Sequence, residues 1–462
     1  MRVAIWYVNW LDVCHPDLTK HNSGGGLGGL TLAITVGRYS SIPIDIYEAT
    51  DDIGTVGAGL AIFRRTWTVF QQIGIDIEME KRGYISACSS MYVSYTSHLL
   101  SNDSCVLIVV DGYVGLTRND LVDMLKALLP STCTIHTGKR LISYTTSDDI
   151  VKLVFSDGTS ANANILVGAD GIRSTVRAQM FSYLKERQSL PKYLEHDDEY
   201  RRTVNPRWTG TQIYRALIPV ERLKNIFPDH PVLTSTAGAF LTRNIISSSA
   251  HIMAFPIARG DLVNFLGFVS RPVEEGVALD RKWTAEATKQ EVQGYFEGWE
   301  PAVQSLLACL DPVLSRWDLH VMGKLPLCVD GRVALIGDAV HAMSTNIAAG
   351  AGQAMEDAYI LGRLLAHSQM TLETVSVAFE AYQAKRLPFV NQIIENANEV
   401  GLMYEFNGPI YNGEERRDKE KMDEWAARIY SMWEFQWVGS PEEDWEEVKG
   451  EFERHISQMS MK

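Results

Sequence analysis

Short apolar runs alternate with amphipathic stretches along roughly the first 180 residues. Val3-Ala4-Ile5 reads as the start of a buried strand, Thr31 to Val36 as the apolar body of a helix, and Ile42 to Ile46 as the next strand. A helical pattern runs from Arg65 to Ile73, and Tyr84 to Ile108 alternates polar and apolar residues in places, as strands do. Thr117 to Leu128 reads as a helix with Thr117 as its cap. Ile150 to Phe155, the turn Asp157-Gly158 and Ala161 to Val167 read as a hairpin ending in a buried strand.

The pattern changes at about residue 181. The chain through Arg207 is charged and loop-like. Gln212 to Pro219, Ala239 to Asn244, His251 to Pro256 and Leu262 to Val269 read as strands of an antiparallel sheet, and Trp283 to Trp299 as helical. Gly331 to His341 returns to the first pattern, a buried strand ending at Gly337-Asp338. Ala348-Ala349-Gly350-Ala351-Gly352-Gln353 then opens a long helix through about Ala366. The tail from about Glu399 is helical, with Trp425, Trp433, Trp437 and Trp445 as packing residues. The expected organisation is α/β: a Rossmann-like lobe in two parts (1–180 and 326–400), interleaved with an antiparallel-sheet substrate lobe (181–325, which residues 80–110 also join), and a C-terminal helical cap (401–462).

A chain of 462 residues is too long for one ordinary core, and a hydrophobic content of 46% with 22% charged residues is that of a soluble globular protein. The net charge of −14 argues against nucleic-acid or anionic-membrane partners. The six cysteines, Cys14, Cys88, Cys105, Cys133, Cys309 and Cys328, form no C-x-x-C and no metal spacing, so they read as idle thiols of a reducing compartment. No apolar stretch reaches bilayer length and no secretory leader is apparent, so a cytoplasmic protein, monomer or homodimer, is expected.

The chemistry begins at Ser23-Gly24-Gly25-Gly26-Leu27-Gly28-Gly29-Leu30. Gly24, Gly26 and Gly29 fit G-x-G-x-x-G: a tight turn, close approach of backbone to a pyrophosphate, and packing of the next helix on its strand. The helix N-terminus adds free N–H groups and a positive dipole end. Glu48 ends the following strand, placed to accept hydrogen bonds from an adenosine ribose. Gly57 and Gly59 permit backbone to lie against a ligand face. Arg118 gains nothing from the dipole of its helix, which points to an anionic partner, a solvated arginine being the alternative. Asp170, in Gly168-Ala169-Asp170-Gly171, is placed to cap a helix, accept from a ribose or fix the neighbouring loop, and Arg177 to pair with Asp170 or Asp338. Asp338 faces the crevice at the carboxyl end of the sheet. His341 reads as a hydrogen-bonded structural residue.

Trp6 to Asn22 interrupt the expected junction of strand and glycine turn. Their deletion joins Val3-Ala4-Ile5 almost directly to Gly24-Gly25-Gly26. Trp-Tyr-Val is encodable with an internal GTATGT and His-Asn-Ser with a CAG acceptor, so we read the segment as translated intron sequence. The alternative is a real insertion. In that case Ile5 to Tyr7 or a later stretch supplies the strand.

The glycine loop with Glu48, the Gly168-Ala169-Asp170-Gly171 stretch and Gly337-Asp338-Ala339 with its helix, in this order, resemble the single-component FAD-dependent aromatic hydroxylases, the salicylate-hydroxylase-like flavoprotein monooxygenases, in particular the fungal phenol hydroxylases of polyketide pathways. The resemblance spans about residues 24 to 400. It implies that Glu48 holds the adenosine ribose, Arg118 the phosphate and ribityl region, and Asp338 the ribityl or pyrophosphate-side hydroxyls. Gly59, Ala61, Gly350 and Ala351 would lie along the flavin, and Asp170-Gly171 would serve both FAD and a transient NADPH or NADH. Ile213-Tyr214-Arg215-Ala216-Leu217-Ile218 resembles the strand that presents an arginine to the phenol. Ala254-Phe255-Pro256 departs from the family, which carries a tyrosine where Phe255 stands. Thr345 stands where proline is usual, and Ala348 where glycine is common, so the loop beside the flavin is expected to differ.

The implied reaction uses NAD(P)H and O2 to hydroxylate a small phenolic or aromatic substrate, through an electrophilic oxygen adduct at the flavin C4a position. Arg215 would favour the phenolate by opposite charge, or else be a salt-bridged strand residue. Epoxidation, Baeyer–Villiger oxidation, and flavin binding without turnover are the alternatives.

Overall fold

The computed structural model describes residues 1–7, 26–53, 59–84, 95–99, 106–110, 113–147, 149–234, 238–242, 249–408 and 419–460. The glycine Gly24, most of the 6–22 segment, Gly57, and Cys14, Cys88 and Cys105 lie outside these residues.

The apolar runs assemble one six-stranded sheet from chain segments far apart. Its order is Val329–Asp330, Val333–Leu335, Ile165–Gly168, Val3–Tyr7, Ile44–Glu48, Cys133–His136. All pairs are parallel except the edge pair between Val329–Asp330 and Val333–Leu335. Ile165–Gly168 and Val333–Leu335 are buried at every position, because a parallel sheet is covered on both faces. The first strand runs through Tyr7, with Trp6 opposite Tyr47 and Gly168. Trp6, the first residue of the suspected insertion, is thus a fully buried core residue.

The helix Leu27–Tyr39 packs on this sheet and on the helix Gly350–Leu365. At Gly29 a Cβ would lie 3.4 Å from Ile5 Cγ2, an ordinary contact distance, so the packing there is close without excluding a methyl.

The second sheet has eight antiparallel strands, in the order Thr284–Thr288, Val313–Val321, Arg207–Pro219, Leu262–Ser270, Ser249–Ile257, Gly238–Thr242, Val106–Val110, Tyr95–Leu99. Its register sets Arg215 opposite Leu266 and Leu266 opposite Met253, while Ile213 faces Trp317. Alternation puts these residues on one face. A two-stranded ribbon, Gly59–Ile62 with Val114–Thr117, lies against that sheet: Gly59 N donates to Asn264 Oδ1 at 3.3 Å.

Two expectations are corrected. The stretch after residue 181 is not loop-like. Helix Thr175–Glu186 continues into it, because Val176, Met180 and Leu184 recur at helical spacing and are buried. Asp197–Val204 forms another helix, its acids in the first turn and its arginines in the last, as the helix dipole favours. Nor is Trp283 to Trp299 helical throughout. Thr284–Thr288 is a strand, and only Lys289–Tyr295 is helix, capped by Thr288. Its alanines and glutamate favour helix, but pairing with Val313–Val321 overrides that local preference.

The C-terminal helices are Val375–Tyr404, Lys419–Trp433 and Pro441–Ser460. Trp425, Trp433 and Trp445 are buried, and the Trp425 indole donates to the Met403 carbonyl at 3.1 Å. No helix among the described residues is long and apolar enough to cross a membrane.

Candidate active site

A cavity of about 380 Å³ lies where the two sheets meet. One wall comes from the turns at the ends of three strands of the parallel sheet: Gly26 to Gly28 after the first, Ala169, Gly171 and Ile172 after Ile165–Gly168, and Ile336 to Asp338 after Val333–Leu335. The other wall is the face carrying Ile213, Arg215, Met253, Phe255, Leu266 and Trp317.

Two helices begin at the cavity. Leu27–Tyr39 starts at Gly26 and Gly350–Leu365 at Ala349, and neither has a side-chain cap. Their first-turn N–H groups lack side-chain acceptors, and both helix dipoles are positive at these ends. Small residues make the wall: Gly59, Ala61, Gly350 and Ala351 all line it. Gly59 has no room for more, because a Cβ would lie 2.6 Å from Asn264 Cγ. The loop before the second helix places Ala348 in the left-handed region, φ 49° and ψ 29°.

Asp338 and Arg118 line the cavity. Thr117 caps the Arg118–Ala127 helix by accepting from Asp120 N at 3.1 Å, which places Arg118 in its first turn. The Arg118 Nε is buried without a hydrogen-bond partner. Glu48 ends its strand and is buried, and one of its carboxylate oxygens accepts from Thr50 N at 2.8 Å. It stands outside the cavity wall, as does Gly29.

Asp170 is also set back from the wall. Its carboxylate accepts from Trp6 Nε1 at 3.1 Å, Ser174 Oγ at 2.5 Å, Thr175 N at 2.6 Å and Val176 N at 3.1 Å. It thus meets the first two N–H groups of the helix that Ser174 caps and also ties down the loop before it. Its neighbours Ala169 and Gly171 reach the cavity instead. Arg177 forms no ion pair with either aspartate; it donates to the carbonyls of Val204, Ala339 and Ile172. His341 is buried, with Nε2 2.7 Å from Asp357 Oδ2.

Arg215 is half-buried on the cavity floor, its guanidinium 4.9 Å from the centre of the Trp317 ring. No carboxylate pairs with it among the described residues. Burial, and then the Arg118 charge, push its pKa down to about 10, which leaves it a cation at neutral pH. Phe255 packs edge-on against Tyr113, ring centres 5.7 Å apart. The Tyr113 hydroxyl donates to the Pro256 carbonyl at 3.3 Å.

Sequence reasoning missed His320. It lines the cavity and stacks on Trp283, ring centres 3.4 Å apart, and the Arg173 guanidinium lies 3.8 Å from the centre of the same Trp283 ring. Its Nδ1 is 2.8 Å from the Asp318 carbonyl. A carbonyl only accepts, so Nδ1 carries the hydrogen and Nε2 keeps a lone pair. Burial pushes its pKa down to about 4. No spacing in the chain signals this residue, because Trp283 and Arg173 come to it only in the fold.

The sequence profile of the FAD binding domain family matches residues 23–194 and 281–397. A salicylate hydroxylase of Pseudomonas putida is 30% identical over 420 residues, covering 89% of this chain and 91% of that one. The chain belongs to the salicylate-hydroxylase-like FAD-dependent monooxygenases. The 6-methylsalicylate 1-monooxygenase of Aspergillus terreus is 28% identical over 429 residues, 89% of this chain and 87% of its own. A solved salicylate hydroxylase substrate complex superposes with TM-score 0.72 at 26% identity, covering 97% of each chain.

FAD is the cofactor of this monooxygenase, and NAD(P)H and O2 are the co-substrates typical of its family. Its residues fit that cofactor. Two uncapped helix ends and an unpartnered buried Arg118 Nε suit a pyrophosphate, and a wall of glycine and alanine, closed to a Cβ at Gly59, suits a flat ring system.

Proposed function

We propose that this aromatic hydroxylase acts on a small phenol bound as its anion, with Arg215 as the counter-charge. The observation carrying this reading is a cation on the cavity floor with no acid partner among the described residues. The first helix end, Arg118, Asp338, Gly350 and Ala351 hold FAD, with Gly59 and Ala61 along its ring. Glu48, Asp170, and Gly24 and Gly29 of the glycine turn act from behind that surface. Bound FAD, after reduction by NAD(P)H and reaction with O2, supplies an electrophilic oxygen.

The chain's own part is to make the ring electron-rich and keep water out. An ordinary phenol has a pKa of about 10, and a cation in contact lowers it by about 1–3 units. That brings the substrate within reach of ionisation near neutral pH. His320, at a pKa of about 4, is too weak a base to hold the phenolic proton. Its Nε2 instead accepts from a second donor group on the substrate, such as another hydroxyl, and so orients it, while the phenolic proton leaves to solvent. Ile213, Met253, Phe255 and Leu266 give the ring an apolar bed. Phe255 has no hydroxyl, so substrate polarity is met by Arg215 and His320.

The test compares hydroxybenzoates and other phenols with their O-methyl ethers. The phenols should stimulate NAD(P)H oxidation and yield products one oxygen heavier, with or without loss of carbon dioxide. Equal turnover of the ethers, which cannot ionise, overturns the reading.

A further inference from the structure

The Gly337–Asp338 turn is held from behind by a buried chain of charges that reaches the C-terminal helix. Gly337 adopts φ 60° and ψ −141°, a region that favours glycine. Asp357 fixes it: Oδ2 accepts from Gly337 N at 3.0 Å and from His341 Nε2 at 2.7 Å, while Oδ1 accepts from Arg386 Nε at 2.8 Å. Arg386 Nη1 reaches Glu356 Oε2 at 3.3 Å, the same oxygen accepts from Arg65 Nε at 2.9 Å, and Arg65 Nη2 donates to Asp444. Asp444 belongs to Pro441–Ser460, beyond the residues matched to the FAD binding domain.

Glu356, Asp357, Arg386 and His341 are at most 1% exposed. Buried ion pairs recover little more than their desolvation cost, so stability is a poor account of this chain. What it does provide is a fixed geometry, ending on a turn that lines the cavity. Three carboxylates, Glu356, Asp357 and Asp444, face three cations, Arg65, Arg386 and Lys385, the last 2.9 Å from Asp444.

We propose that Asp357 is a positioning residue for the cofactor turn, and that Asp444 of the C-terminal helix acts on FAD binding through Arg65, Glu356 and Arg386. The proposal rests on FAD binding at this turn. The test uses full-length Asp357→Asn, His341→Gln and Asp444→Asn. His341→Gln keeps the Asp357 charge and serves if Asp357→Asn does not fold. Free-flavin fluorescence reports cofactor release on heating, and tryptophan fluorescence reports unfolding of the same sample.

In the two inner variants the FAD dissociation constant should rise about tenfold, the loss of one charge-assisted hydrogen bond. Flavin release should then precede unfolding. Asp444→Asn should raise the constant about threefold. Inner variants that keep the wild-type constant and release flavin only on unfolding overturn the positioning role. A rise in the inner variants with none in Asp444→Asn overturns the coupling to the C-terminal helix. A wild-type chain that takes up no FAD defeats the cofactor reading itself.

Discussion

The Arg215 guanidinium lies over the Trp317 ring, 4.9 Å from its centre, on the sheet face that carries Ile213, Met253 and Leu266. The indole tolerates the cation without neutralising it, since a cation–π contact leaves the full charge in place. Arg215→Ala should therefore keep FAD, which other residues hold, but lose the counter-charge for the phenolate. Removing one electrostatic stabiliser costs about 10²–10³ in rate. NAD(P)H oxidation should continue with its electrons lost to hydrogen peroxide. Oxygen-electrode and peroxide assays on the variant check this, and full coupling of NAD(P)H to product refutes the assignment.

His320 gives a pH signature. Its pKa is pushed from 6.5 down to about 4, so the folded protein keeps Nε2 free to accept well below the ordinary range. On this account the acid limb near neutral pH belongs to the bound phenol, and His320 adds a loss only as pH drops toward 4. An acid limb at 6.5 that vanishes in His320→Gln contradicts the buried, neutral ring. Stability carries the same signature with a definite sign. Between about 4 and 6.5 the unfolded chain binds a proton here and the folded one does not, so stability rises with pH across that window. His320→Gln should flatten that part of the curve of denaturation midpoint against pH.

Legibility in the sequence tracks the range of the interactions. Ile165–Gly168 and Val333–Leu335 are apolar throughout because both faces are covered, and such runs are readable one strand at a time. Thr284–Thr288 is not, since its pairing with Val313–Val321 is a long-range choice against local helix preference. Asp170 illustrates the same limit: its partners Trp6, Ser174, Thr175 and Val176, which tie loop and helix start together, come into view only in the fold. The Arg215 strand is readable by resemblance, whereas the neighbours of its guanidinium, the Trp317 ring and the Arg118 charge, come from distant elements.

Ala348 carries a local strain that can be relieved. A non-glycine residue at φ 49° costs about 1–2 kcal/mol relative to glycine. Glycine regains that but loses about 0.5–1 kcal/mol to the entropy of the unfolded chain. Ala348→Gly should thus stabilise the protein by up to about 1 kcal/mol. For a chain of this size the unfolding temperature rises by about 1–2 °C. A drop in unfolding temperature shows that the Ala348 methyl packs usefully in the cavity wall.

Gly59 and Asn264 form a pair in which one side chain has the space that the other would need. A Cβ at Gly59 would lie 2.6 Å from Asn264 Cγ and 2.8 Å from its Cβ and Oδ1. Asn264 is 2% exposed, so it has no solvent to swing into. Gly59→Ala should cost about 1–3 kcal/mol as overpacking, and push the Gly59–Ile62 strand out of place beside the cofactor. Asn264 Nδ2 has no partner, so Asn264→Gly, which also removes the Cβ at 2.8 Å, gives up no hydrogen bond but the 3.3 Å one to Gly59 N. The double variant should recover stability and flavin content that Gly59→Ala alone loses, a coupling visible in a double-mutant cycle. Strict additivity of the two losses would mean that the clash is relieved elsewhere and that the ribbon is not pinned at this point.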